Sequence, residues 1–183
     1  MADDSALPRA TDLTLAQQVS LLSGGDFWHT RALPDAHVPA TMLTDGPHGI
    51  RRQRGSADHL GISDSVPATC FPTAVTLASS WDEDLLHEVG QALGAEAKAL
   101  DVGVLLGPGL NLKRHPLGGR NFEYFSEDPL VSGRLAAALV RGIQSQGVGA
   151  CLKHYAVNNQ EDHRFVVDAV VDERTLRELY LAG

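Results

Sequence analysis

The sequence predicts an α/β fold built on a parallel sheet, and three observations lead there. Short apolar runs that end in Gly, Pro or polar clusters read as buried strands. Capped stretches of helical period lie between them. The resulting order, strand then helix repeated along the chain, is that of βαβ units with right-handed crossovers.

The first element is a helix beginning at Thr14. Thr14-Leu-Ala-Gln17 fits a capping box in which Gln17 reaches back. Leu15, Val19 and Leu22 share one face, and Gly24-Gly25 stops the helix. Ala40-Thr-Met-Leu43 leads into Thr44-Asp-Gly-Pro47, a strand ending in a turn. Thr73-Ala-Val-Thr-Leu-Ala78 reads as a second strand. Asp82 caps a long helix carrying Leu85, Leu86, Val89, Leu93 and Ala97 on one side. Val102-Gly-Val-Leu-Leu106 is a buried-strand run ended by Gly107-Pro108. Asp128 at the N-cap and Pro129 at the first helical position open another helix, lined by Val131, Leu135, Leu139 and Ile143 and closed by Gly147. Val148-Gly-Ala-Cys-Leu152 is the next strand. Asp172 caps a last helix with Leu176, Leu179 and Tyr180.

Composition narrows the function. The chain has 183 residues, about one domain. A hydrophobic fraction of 43% and a charged fraction of 21% are ordinary for a globular chain. The net charge of −8 disfavours nucleic acid and anionic membrane surfaces as partners. Cys70 and Cys151 make neither a disulfide framework nor a cysteine zinc site. No apolar run is long enough to span a membrane. The acidic opening MADDSALPRATDLT has no apolar signal core. A reducing, cytoplasmic setting is therefore expected.

Polar clusters follow the strands, at Asp45 to Arg51, Asn111 to Glu123 and Lys153 to Asn159. Carboxyl ends of strands are where α/β folds build their sites. Asp45 can accept hydrogen bonds from vicinal hydroxyls, with Arg51 orienting it or donating to a substrate oxygen. An Asx-turn before Gly-Pro is the competing explanation. Arg120 sits between glycines and aromatic residues in a long loop, Gly107 to Glu127. It offers fixed donors to a ligand, or else pairs with Glu123 or Glu127 on the surface. Lys153 and His154 follow a buried run, so both reach one pocket only if the backbone bends there. The competing reading pairs Lys153 with a carboxylate and gives His154 one structural hydrogen bond. His154, Glu161 and His163 lack metal-ligand spacing, so no metal is expected. No nucleotide-binding glycine loop and no Gly-x-Ser-x-Gly elbow appears, and no cofactor is expected.

Taken together, Asp45-Gly-Pro-His-Gly-Ile-Arg51, Gly119-Arg-Asn-Phe-Glu-Tyr-Phe-Ser-Glu-Asp-Pro129 and Lys153-His-Tyr-Ala-Val-Asn-Asn-Gln-Glu161 resemble the glycoside hydrolase family 3 β-glucosidases. The opening Leu13-Thr-Leu through Leu21-Leu-Ser-Gly-Gly-Asp-Phe-Trp28 is similar too. Tyr155-Ala-Val-Asn158 looks like the β-glucosidase branch rather than the N-acetylhexosaminidases. The resemblance implies the N-terminal part of a TIM-type (β/α)8 barrel, over residues 1–183. It also implies that Asp45, Arg51, Arg120, Lys153 and His154 line the subsite for a non-reducing glucosyl ring of a β-glucoside or oligosaccharide. Asp45 would accept from ring hydroxyls, Lys153 and His154 would donate to them, and Arg120 would brace the site.

The same resemblance marks a departure. A retaining glycosidase uses two carboxylates about 5–5.5 Å apart. The family's nucleophile lies in a Ser-Asp-Trp-like segment, which is not found here. Trp28 follows Phe27, and Trp81 follows Ser80 and precedes Asp82. The acid/base Glu of most family members lies in a further C-terminal domain, also not found here. The chain is therefore expected to be an incomplete barrel, truncated before the nucleophile segment and inactive alone. Its open parallel edges are expected to favour self-association.

Overall fold

The helices begin where their capping residues stand. In the computed structural model, which describes residues 8–54 and 64–183, helix α1 (Leu15–Leu21) starts with the Thr14 capping box. Gln17 N donates to Thr14 Oγ1, and Thr14 N donates to Gln17 Oε1. Asp82 accepts from the amides of Asp84 and Leu85 at the head of α3 (Glu83–Ala99), once α2 (Ala74–Ala78) has passed. Asp128 accepts from Val131 N at the head of α4 (Pro129–Ser145), with Pro129 at its first position. Asp172 accepts from Thr175 N and opens α5 (Glu173–Thr175). The acidic opening, residues 1–7, lies outside the described residues.

The three strands are β1 (Leu43–Asp45), β2 (Val104–Leu106) and β3 (Gly149–Ala150). They form one parallel sheet in the order β1-β2-β3, with Leu43 opposite Val104 and Val104 opposite Gly149. This is the expected parallel α/β topology. Helices α3 and α4 cover the sheet. Leu86, Leu93 and Ala97 from α3 meet Leu135, Ala138, Leu139 and Ile143 from α4, over Leu105 of β2. Burial of this kind contributes about 25 cal/mol per Å² of apolar surface removed from water.

Two expectations are corrected. The run from Thr73 to Ala78 is not a strand: Ala74–Ala78 is helix α2, with Thr73 before it as the N-cap. A short apolar run does not distinguish the two by itself. The burial of Ala74, Leu77 and Ala78, at i, i+3 and i+4, is helical, and it is tertiary packing that decides. The last helix is not regular either: after one α turn, Leu176–Tyr180 forms a π turn, closed by Leu181 N donating to Leu176 O. Leu15 and Val19 of α1 and Leu22 just past its end are all exposed, Leu22 by 88%.

Helices α3 and α4 approach so closely that only glycine fits. A Cβ on Gly142 would lie 2.2 Å from the His87 carbonyl oxygen, and one on Gly90 would lie 2.3 Å from that of Leu139. Gly142→Ala gains about 1 kcal/mol of helix propensity. The backbone clash costs about 1–3 kcal/mol or more, because neither carbonyl can rotate aside. The variant is therefore expected to be destabilised, not stabilised, with a lower urea midpoint and an unchanged slope. A raised midpoint would show that the helices separate freely.

Among the described residues, no helix is long and apolar enough to cross a membrane. Beyond β3 the chain exposes apolar side chains. Phe165 is 92% exposed, and Tyr155, Val166 and Val170 are also exposed.

Candidate functional site

Each polar cluster leaves a strand end, and the parallel register brings the clusters to one side. Asp45 is the last residue of β1. The turn after it is closed by backbone, with Gly49 N donating to Gly46 O and Arg51 N to Asp45 O. Gly46 and Gly49 have φ of +132° and +145°, which only glycine adopts readily. The Asp45 carboxylate makes no hydrogen bond to this turn, so it is not an Asx-turn. Its partners are Lys153 Nζ at 3.5 Å and Arg51 Nη2 at 3.9 Å. Contacts that long leave its lone pairs open to incoming hydroxyl donors. The Arg51 guanidinium also lies 6.0 Å over the Trp28 ring.

Lys153 follows β3 and is tied by backbone to the β2 loop. Lys153 N donates to Pro108 O, and Leu110 N donates to Lys153 O. The peptide bond from Lys153 to His154 is cis. Lys153 Nζ stands between Asp45 and Glu123 Oε2, the latter 3.7 Å away. Glu123 also pairs with Arg120 Nε. The surface Arg–Glu pair considered for Arg120 thus exists as a buried one, since Glu123 is only 3% exposed. Glu127 is exposed. The glycines beside Arg120 are approached by this chain's own side chains: a Cβ on Gly118 would meet Asn121, and one on Gly119 would meet Glu161.

His154 is held at Nδ1 by the Tyr124 hydroxyl, 2.9 Å away, and its backbone oxygen accepts from Asn111 Nδ2. Burial, helped by the nearby charges of Arg120 and Lys153, lowers its pKa from the ordinary 6.5 to about 4. His48 is lowered in the same direction, chiefly by burial. Both groups favour the deprotonated ring in the folded chain, so the unfolded chain binds more protons below its own pKa. Their contribution is full above about pH 6.5 and is lost as pH falls through the folded pKa, which for His154 is about 4. Stability is therefore expected to decline between these limits. The slope should be shallower in His154→Gln, measured by urea denaturation at stepped pH. An equal slope in both proteins would show that His154 does not contribute.

All five expected residues therefore join one polar network. Arg51, Asp45, Lys153, Glu123 and Arg120 run as a chain of ion pairs, with His154 next to Lys153. They do not share one enclosed cavity. Asp45, Arg51 and Glu123, with His48, Phe122 and Thr69, line a cavity of about 510 Å³. Lys153 and His154 line a smaller one of about 180 Å³ with Asn111 and Tyr180. The larger cavity has room for a monosaccharide-sized ligand. The Asp45 and Glu123 carboxylates and the Arg51 guanidinium at its wall suit a neutral polyol, which needs donors and acceptors together.

Sequence reasoning missed the supporting residues. Tyr124, Asn111, Asn158 and Glu161 bond to one another and to His154. Tyr124, Asn158 and Glu161 stand inside the family motifs and Asn111 opens a polar cluster, but nothing in a linear motif says which polar side chains face inward.

Residues 36–183 match the glycosyl hydrolase family 3 N-terminal domain. The chain belongs to glycosyl hydrolase family 3. It is 59% identical over 171 residues to the thermostable beta-glucosidase B of Acetivibrio thermocellus, covering 93% of this chain and 23% of that protein. An exo-alpha-(1->6)-L-arabinopyranosidase of Bifidobacterium longum is 52% identical, over 97% of this chain and 24% of the relative. Among solved structures, the family 3 beta-glucosidase of Bifidobacterium adolescentis superposes with a TM-score of 0.83 at 49% identity, over 96% of this chain and 24% of that one. Beta-glucosidase 3B of Thermotoga neapolitana, solved with alpha-D-glucose, gives 0.82 at 44% identity over 94% and 26%. The chain spans about a quarter of the length of the curated relatives it matches.

Proposed function

We propose that this family 3 chain forms the glycosyl-binding subsite of a retaining β-glucosidase acting on terminal, non-reducing β-D-glucosyl residues. The observation that carries the reading is Asp45, open at the wall of the larger cavity and flanked by Lys153 and Arg51. In this reading Asp45 accepts from ring hydroxyls, Arg51, Lys153 and His154 donate, and Arg120 braces the site through Glu123. The reading assigns neither nucleophile nor acid/base carboxylate to residues 1–183. Hydrolysis by the isolated chain is therefore not expected, whereas sugar binding is.

The test is a chimaera in which residues 13–183 replace the equivalent stretch of the Acetivibrio thermocellus enzyme. It is expected to hydrolyse an aryl β-glucoside while the isolated chain does not. A folded but silent chimaera would count against the subsite. The Bifidobacterium relative favours a second substrate class, so an aryl α-L-arabinopyranoside belongs beside the glucoside. Turnover of the arabinopyranoside alone would replace glucosyl by pentopyranosyl recognition. Calorimetry of the isolated chain with glucose separates a binding module from an inert one.

The chain is also proposed to self-associate through its open edges and the apolar side chains beyond β3, with Phe165 and Val166 foremost. Sedimentation velocity is expected to show species larger than a monomer, reduced by Phe165→Ser. A clean monomer would refute this. Exposed, unpaired Cys70 and Cys151 favour a reducing, cytoplasmic setting.

A further inference from the structure

The polar network around His154 has a direction that can be read from one carboxylate. Glu161 lies between two guanidiniums, 3.9 Å from Arg120 Nε and 3.3 Å from Arg164 Nη1. A carboxylate so placed can only accept hydrogen bonds. The Asn158 amide atom 3.0 Å from Glu161 Oε1 must therefore be its nitrogen. This fixes an amide orientation that is otherwise assigned only from its surroundings. The same nitrogen lies 2.8 Å from the Tyr124 hydroxyl and donates its second proton there.

Tyr124 is 2% exposed, so its own proton cannot go to solvent. Among the described residues, the remaining close acceptor is His154 Nδ1, 2.9 Å away. The opposite arrangement would have Nδ1–H donating to an oxygen that already accepts from Asn158. It would leave the buried tyrosine proton without an acceptor, which folded proteins avoid. His154 is held neutral by burial and by Arg120 and Lys153, against the opposing charges of Glu123 and Glu161. A neutral imidazole that accepts at Nδ1 carries its proton on Nε2.

We infer that Tyr124 and Asn158 are positioning residues that lock His154 in the Nε2–H tautomer, so that it meets a sugar solely as a hydrogen-bond donor. The sugar part of this inference rests on the subsite reading above. Nε2 has no protein partner among the described residues. The group it meets must offer a lone pair, as a hydroxyl oxygen does. A protonated amino group, having none, is rejected at that position.

The tautomer is tested without any ligand, by two-bond 1H–15N correlation of the imidazoles in the labelled 183-residue chain at neutral pH. The His154 signal is identified by its loss in His154→Gln. A pyridine-type Nδ1 with a pyrrole-type Nε2 is expected, and the reverse pattern overturns the inference. In Tyr124→Phe the single tautomer should give way to a mixture, with glucose affinity about fivefold lower by calorimetry. Asn158→Ala removes the donor that orients Tyr124 and should also mix the tautomers; it carries the test if Tyr124→Phe loses its cooperative melt. An unchanged tautomer in the folded variants overturns the positioning role. The expected tautomer in a chain that binds no glucose upholds the lock and sinks the subsite reading instead.

Discussion

Glu123→Ala is expected to destabilise the chain by about 3 kcal/mol. Glu123 is 3% exposed, and its carboxylate faces two cations, Lys153 and Arg120. Its removal leaves both charges partly buried, and now opposed to each other rather than bridged. Breaking a buried pair in this way costs about 3–5 kcal/mol. The lower end applies because the Lys153 and Arg120 side chains keep 15% and 20% of their exposure and can be partly hydrated. The measurement is the urea midpoint with its slope. A loss below about 1 kcal/mol would place the pair with ordinary surface ion pairs. A cycle with Lys153→Met sharpens the result. If Glu123 serves mainly to neutralise Lys153 and Arg120, the double variant loses less than the two single variants together.

This central role shows where sequence reasoning stops. The caps at Thr14, Asp82, Asp128 and Asp172 are local chemistry: a side-chain oxygen meets amides two or three residues on. They are legible because everything they need lies within one turn. The parallel sheet is legible too, since its strands alternate with capped helices. Thr73 to Ala78 reads as a strand yet folds as helix α2, because its run is too short for either period to dominate and its partners lie in other elements. The site divides along the same line. Asp45, Lys153 and His154 stand at or just after apolar runs, and all five candidates, Arg51 and Arg120 included, lie in recognisable motifs. Glu123 looks like a surface partner of Arg120 until β3 delivers Lys153 to it. Asn111 and Asn158, 47 residues apart, bond only once two loops have packed. No spacing in the chain encodes that encounter.

The stability of the network and its use on a sugar are separable, and Asp45 separates them. In the chimaera, Asp45→Asn is expected to lower kcat/KM on an aryl β-glucoside about a hundredfold. Hydrogen bonds to a charged group contribute about 1.5–3 kcal/mol each, and asparagine keeps one neutral acceptor of the two charged oxygens. A net loss near 2.7 kcal/mol corresponds to about a hundredfold in rate. The fold, by contrast, should hardly notice. The Asp45 side chain is 39% exposed and meets its cations only at 3.5 and 3.9 Å, so the pairs contribute about 0–1 kcal/mol. Glu123→Ala should do the reverse, taking stability first and activity only through the Lys153 and Arg120 it leaves unheld. If Asp45→Asn instead lost stability like Glu123→Ala, Asp45 would be a structural partner of Lys153. If it turned over the glucoside at the parental rate, the hydroxyl-accepting role would pass to another carboxylate and the subsite would need a different centre.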